Sequence, residues 1–259
     1  MLSKIKSLDG YRLDTLDGEI GHVKDVYFDD HHWTVRYLVA DTGNWLSGRQ
    51  VLLAPHALLS INGDDRLIKV NLTKKQIENS PGLSADKPVS QQFEYEYYGY
   101  YGWPIYWGGS YIWGSYPYVP SGPFDSENRG PEHRPYDHHL RSAHAVCGHS
   151  VHAVDGDIGH VADFVVDDKT WAIRYLVVDT QNWWPGKHVL ISTDWVSSVS
   201  WSEMRVFLNL SRESIRVSPE YSKEALIRRE YEINIHKHYR REGYWVDEEA
   251  AKEFVGKSQ

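Results

Sequence analysis

The sequence predicts a mainly β protein built from two copies of one small domain. Three observations carry that expectation. A block of 37 residues occurs twice at a constant offset of 138, without a gap. The runs inside each block alternate as strands do and break at Asp, Asn and Gly turns. The bulk composition, 41% hydrophobic and 25% charged, is that of a globular chain.

The first block, residues 17–53, reads DGEIGHVKDVYFDDHHWTVRYLVADTGNWLSGRQVLL, and the second, 155–191, reads DGDIGHVADFVVDDKTWAIRYLVVDTQNWWPGKHVLI; 21 positions are identical. The offset holds on both flanks. Gly10 aligns with Gly148, Asn71-Leu72 with Asn209-Leu210, Ser80-Pro81 with Ser218-Pro219, and Tyr106-Trp107 with Tyr244-Trp245. The repeats therefore span about 1–107 and 139–245, with a linker at 108–138 and a tail at 246–259.

Each element follows from local chemistry. Residues 20–28 and 34–40 are β-rich runs around Asp29-Asp30-His31-His32, which predicts a hairpin. In the second run Val35, Tyr37 and Val39 form an apolar face, while Arg36, Leu38 and Ala40 form a mixed one. A turn-rich stretch, 41–48, leads to strands at 51–54 and 58–61. Asn62-Gly63-Asp64-Asp65 is a turn, and a strand at 67–72 follows. Thr73 with Gln76 has the spacing of a capping box, so a short helix should run to about Asn79 and stop before Pro81. Five or six short strands in such a span favour a small barrel or half-open sandwich. Residues 88–98 and 226–239 read as helical.

Composition removes several function classes. Net charge is −8, which argues against a basic nucleic-acid surface. One cysteine, Cys147, cannot make an internal disulfide framework or a cysteine zinc cluster. The start MLSKIKSLDG lacks a signal-peptide core, and no stretch approaches 18 apolar residues, so a cytoplasmic chain without membrane insertion is expected. There is no phosphate-binding glycine loop, no nucleophile elbow and no HExxH.

The repeated pattern DG-x-IG-x-V-x-D, then DD-x-x-W-x-[VI]-RYLV-x-DT-x-NW, then G-x-x-VL[LI], resembles the PRC-barrel family. That family includes the cytoplasmic domain of the photosynthetic reaction-centre H chain and a barrel of a ribosome-maturation factor. The resemblance covers both blocks and extends weakly through each unit. It implies a compact antiparallel β-barrel per copy and, from the known members, a role as an interaction module in a larger assembly; in layout the chain looks more like the stand-alone tandem PRC-barrel proteins of bacteria, whose roles are mostly undefined.

The polar residues shared by both copies are His22/His160, Asp25/Asp163, Arg36/Arg174, Asp41/Asp179 and Asn44/Asn182. A strand arginine among apolar neighbours needs a carboxylate, which Asp25 or Asp41 could supply, and Asn44 suits a positive-φ turn. The plainer reading is structural; the sharper one is a His-Asp-Arg acid–base site. No nucleophile or ligand set accompanies it. Ten of the 14 histidines fall from His133 onward, and none has zinc-ligand spacing, so no metal and no cofactor are expected.

The tract 93–119 holds 13 aromatic residues among 27. Its early part should pack on the barrel, because exposing so many rings is costly. Trp45, Trp183 and Trp184 in turns, with Trp103, Trp107 and Trp113 in the tract, are the candidate partner-binding anchors. The expected function is a non-catalytic scaffold or adaptor for another protein, with the two barrels forming an intramolecular pseudo-dimer. The alternatives are a small-ligand or metal enzyme using the repeated polar set, a ribosome or RNA-processing factor, and a photosynthetic-complex-associated protein.

Overall fold

A computed structural model of the protein describes residues 1–46, 49–84, 89–106, 140–180, 187–222 and 226–246. In chain order the first copy contributes β1 (Leu2–Lys4), β2 (Arg12–Thr15), β3 (Gly18–Asp29), β4 (Thr34–Asp41), β5 (Arg49–Leu53), β6 (Leu58–Asn62), β7 (Leu67–Val70), α1 (Lys74–Asn79), β8 (Leu83–Ser84) and α2 (Gln91–Tyr101). The second contributes β9 (Leu140–Ser142), α3 (Ala143–Val146), β10 (Ser150–Ala153), β11 (Gly156–Asp167), β12 (Ile173–Asp179), β13 (His188–Ser192), β14 (Val196–Ser200), β15 (Arg205–Leu208), α4 (Arg212–Arg216) and α5 (Arg229–Tyr239). The hairpin, the strands and the capping box at Thr73–Gln76 all form where expected. The linker 108–138 and all of the tail except Val246 lie outside the described residues.

The chain divides into two compact units. One holds residues 5–144 and 170–172; the other holds 1–4, 145–169 and 173–259. These differ from the sequence repeats at their edges, because each unit takes a three-residue strand from the other copy. In the first unit the sheet order is β6-β7-β2-β3-β4-β5-β8, with β9 added on β3; in the second it is β13-β12-β11-β10-β15-β14, with β1 added on β11. The exchanged strands keep one register. Leu140 faces Asp29, and Leu2 faces Asp167, each pair shifted by the repeat offset from the other.

The sheets are small, mainly antiparallel barrels. Two pairings depart from the antiparallel expectation: β2 runs parallel to β7, and β10 parallel to β15. Parallel neighbours need a long connection, and here the intervening strands of the barrel supply it.

The β4 strand is buried along its length to Ala40, and Arg36 is as buried as its neighbours. The apolar/mixed alternation read from the sequence does not separate a core face from a solvent face. Helix α2 is the reason. Tyr37 and Val39 of β4 pack with Leu52, Ala54, Leu83, Val89, Phe93, Tyr97, Tyr98 and Tyr106, so the aromatic tract forms a second core layer outside the sheet. Ser90 caps α2 at its start, and Gly102, in the left-handed region, ends it.

Candidate functional site

The repeated motif residues are mostly engaged in building the fold. Asp17 accepts hydrogen bonds from the Lys74 amide at 2.8 Å and the Thr15 hydroxyl at 3.0 Å, and Asp155 accepts from the Arg212 amide at 2.7 Å. Each aspartate thus serves the first turn of a helix, whose amides lack intrahelical partners. Asp25 and Asp163 sit where the β3–β4 and β11–β12 registers shift. Their Oδ1 atoms accept the next residue's amide, Val26 at 2.7 Å and Phe164 at 2.8 Å, which anchors each bulge. Asp25 also accepts from the Ser142 hydroxyl of β9 at 2.5 Å.

Arg36 pairs with Asp29 at 3.0 Å, with both side chains about 2% exposed; neither Asp25 nor Asp41 supplies its carboxylate. Strand geometry explains the correction. Asp29 ends β3 at the hairpin and pairs opposite Thr34, close to Arg36, while Asp41 lies at the far end of β4. Burial alone would raise the Asp29 carboxyl, but Arg36, His32 and the His31 amide outweigh it and hold it below the usual carboxylate value. In the second unit Arg174 lies 3.8 Å from Asp167.

Asp41 instead accepts from the Gly43 amide at 2.9 Å, and His22 stands across from it at 3.9 Å. Asp179 lies 3.3 Å from His188, and His160 is its cross-strand neighbour. The positive φ of this turn belongs to Gly43, not to Asn44, as expected of a residue without Cβ. Asn182, Trp183 and Trp184 lie outside the described residues, as do Trp107 and Trp113.

The most unusual polar groups are two that the sequence reading did not single out. Glu94 of α2 is 0% exposed. Its Oε1 accepts from Tyr37 at 2.8 Å and Tyr106 at 2.7 Å. The Arg36 guanidinium lies 3.8 Å from the centre of the Tyr106 ring, a cation–π contact. At the same offset Glu232 of α5, 3% exposed, accepts from Tyr175 at 3.0 Å and Tyr244 at 2.8 Å, with Arg174 3.9 Å over the Tyr244 ring. Burial raises the Glu232 carboxyl above its ordinary value. The copies then diverge. Arg229 pairs with Glu232 at 3.1 Å, and Gln91 stands at the equivalent position in the sequence. His236, 3.1 Å from the Tyr175 hydroxyl, replaces Tyr98.

An open cleft of about 240 Å³ lies beside the turn after β4. Lys24, Asp25, Tyr27, Asp41, Leu46 and Gln50 are among its lining residues; His22, Arg36 and Asn44 are not. The repeated polar residues therefore do not converge there as a set. Trp45 sits half-buried in the same turn. Trp103 stacks on Tyr101 at 4.4 Å and on His56 at 5.5 Å, within the aromatic layer.

Compared with known families, residues 5–77 and 140–208 match the PRC-barrel domain. The chain belongs to the PRC-barrel family. No curated protein matches it in sequence. Of the PRC-barrel motif positions in this chain, Asp17, Asp25, Asp29 and Arg36 thus have structural duties in the first barrel. In the sequence the buried glutamates are marked only by position: Phe93-Glu94 and Tyr231-Glu232 fall at the repeat offset. Among the described residues, Asp29, Asp30 and His31 are the one group close enough to share a cation. Arg36 and Arg141 already neutralise its two carboxylates. No helix among the described residues is long and apolar enough to cross a membrane.

Proposed function

We propose that this tandem PRC-barrel protein is a non-catalytic scaffold that binds another protein through the turn surface beside β4, and that it acts in the cytoplasm. The observation that supports this reading is the use made of the polar residues: Arg36 and Asp29 pair with each other in the barrel wall, Asp25 anchors a bulge, and of the repeated polar set only Asp25 and Asp41 line the cleft. An acid–base site would gather them around one cleft. The same surface carries Trp45 next to a cleft, the kind of aromatic anchor on a rigid scaffold that dominates binding energy. The two copies are further proposed to act as an intramolecular pseudo-dimer, a reading supported by the matched register of their exchanged first strands.

The test is affinity capture from nuclease-treated lysate with the full chain and its Trp45→Ala variant. One stoichiometric protein, lost in the variant while the fold is retained, is the expected result. Equal capture by both would remove the turn surface from consideration. Turnover of a small molecule by the purified chain, abolished by Asp25→Asn or Asp41→Asn, would replace the scaffold with an enzyme.

A further inference from the structure

The exchanged strands offer an interaction surface whose partner can be named from the pairing itself. In one unit the free edge of β3, at Tyr27, Phe28 and Asp29, pairs with Ser142, Arg141 and Leu140. In the other the equivalent edge of β11, at Val165, Val166 and Asp167, pairs with Lys4, Ser3 and Leu2. Both slots take the same strand of the repeat in the same register, and in both cases the strand comes from the other copy. Each slot is closed at its end by a charge: Arg141 on Asp30 at 2.7 Å, and the Met1 amino group on Asp168.

We propose that these two slots also accept the first strands of a second copy of this chain, giving a strand-exchanged dimer. The bonds made in such a dimer are those already made within one chain, so exchange between chains changes connectivity and not contacts. Each strand is three residues long, so few backbone pairs hold it and its release is a local event. No residue separates strand from unit: Lys4 and Ile5 belong to different units, as do His144 and Ala145. A released strand leaves a slot that its own chain can refill or that the same strand of a neighbouring chain can enter. Recapture within the chain benefits from an effective concentration of about a millimolar. The dimer should be scarce when the protein folds dilute and abundant when it folds near that concentration.

The full chain, carrying Cys147→Ser, Ser3→Cys and Val166→Cys, would be refolded at micromolar and at near-millimolar concentration, then oxidised and run without reductant. Ser3 and Val166 face each other in the register, so the disulfide reports which chain fills the slot. Covalent monomer at low concentration and a several-fold rise in covalent dimer at high concentration is the expected result. Covalent monomer alone at both concentrations would overturn the proposal. Val166 is buried; if its replacement prevents folding, Tyr27→Cys with Ser142→Cys reads the other slot. Sizing of the unmodified chain gives a third readout. A dimer formed on concentrated refolding that survives dilution for hours agrees with exchange, and one that dissociates at once contradicts it.

Discussion

Gly21 lies so close to the backbone of Asp41 that a β-carbon on it would stand 2.0 Å from the Asp41 carbonyl oxygen; the repeat places Gly159 against Asp179 in the same way, at 1.9 Å. Both glycines also have positive φ, at 129° and 149°. The second glycine of the DG-x-IG motif is thus demanded twice over, by backbone conformation and by the approach of β4 to β3. Gly21→Ala should destabilise the protein by about 3 kcal/mol. Gly43→Ala is the control: its φ is also positive, but nothing lies within 4 Å of a β-carbon there, so its cost should be about 1 kcal/mol. Urea denaturation midpoints of the two variants would check this, and equal losses would contradict it.

Arg49 ends helix α1 from a distance. Its guanidinium donates to the carbonyls of Glu78 at 2.7 Å, Ile77 at 3.0 Å and Ser80 at 2.8 Å, and to the Ser80 hydroxyl at 2.6 Å. Lys187 does the same work in the second unit, donating to Arg216 and Ser218 carbonyls at 2.6 and 2.7 Å. A cation at a helix C-terminus satisfies carbonyls that lack partners and complements the helix dipole. Arg49→Met should cost about 2 kcal/mol. Arg49→Lys should recover at least half of that, because the other repeat shows that one ammonium can serve. Thermal unfolding of the pair of variants would decide.

Local sequence chemistry made much of the fold legible. The hairpin at Asp29–His32, the turn at Asn62–Asp65 and the Thr73–Gln76 capping box each depend on neighbours in the chain, and each formed as expected. What was not legible depends on distant residues. Nothing near Leu2 or Leu140 reveals that each strand pairs with the other copy, because a three-residue strand carries no periodicity of its own. The partner of Arg36 was misread for a related reason: the candidates were drawn from shared aspartates without a register, and register decides which carboxylate is in reach. The Glu94 site needed the position of α2 over β4, which only tertiary packing gives.

Acid should weaken the fold through its buried histidines before the Asp29–Arg36 pair is lost. His56 is stacked on Trp103, and burial pushes its imidazole down to about 4. An unfolded histidine takes its proton near 6.5. Between those values the unfolded chain binds more protons than the folded one, so stability falls as pH falls through that window. Burial lowers His149 and His236 as well, which adds to the slope in the same direction. The Asp29–Arg36 pair has a depressed carboxyl, and its contribution is lost further into acid. His56→Phe keeps the stack on Trp103 and removes the proton site. The variant should show a shallower decline in unfolding free energy from pH 6.5 to about 4, with the wild-type value unchanged above pH 7 to within about 1 kcal/mol. An unaltered slope would show that His56 is accessible to protons in the folded state.

The two buried glutamates should respond differently to loss of charge. Glu94 accepts two phenolic hydrogen bonds on one oxygen, from Tyr37 and Tyr106. Glu94→Gln keeps an oxygen acceptor for both, so its cost should be about 1 kcal/mol. Glu94→Ala leaves two buried hydroxyls without their acceptor and opens a void beneath α2, at a cost of about 3–4 kcal/mol. In the other unit the carboxylate also holds Arg229 at 3.1 Å, whose guanidinium lies 4.4 Å over the Trp245 ring. Glu232→Gln therefore unpairs a cation that Glu94→Gln does not, but Arg229 is about half exposed to solvent, so the extra cost over its counterpart should be up to about 1 kcal/mol. Denaturant titrations followed by tryptophan fluorescence would measure all three variants. Equal losses for the two glutamine variants would mean that Arg229 is held by its aromatic contacts and solvent, with the ion pair adding little.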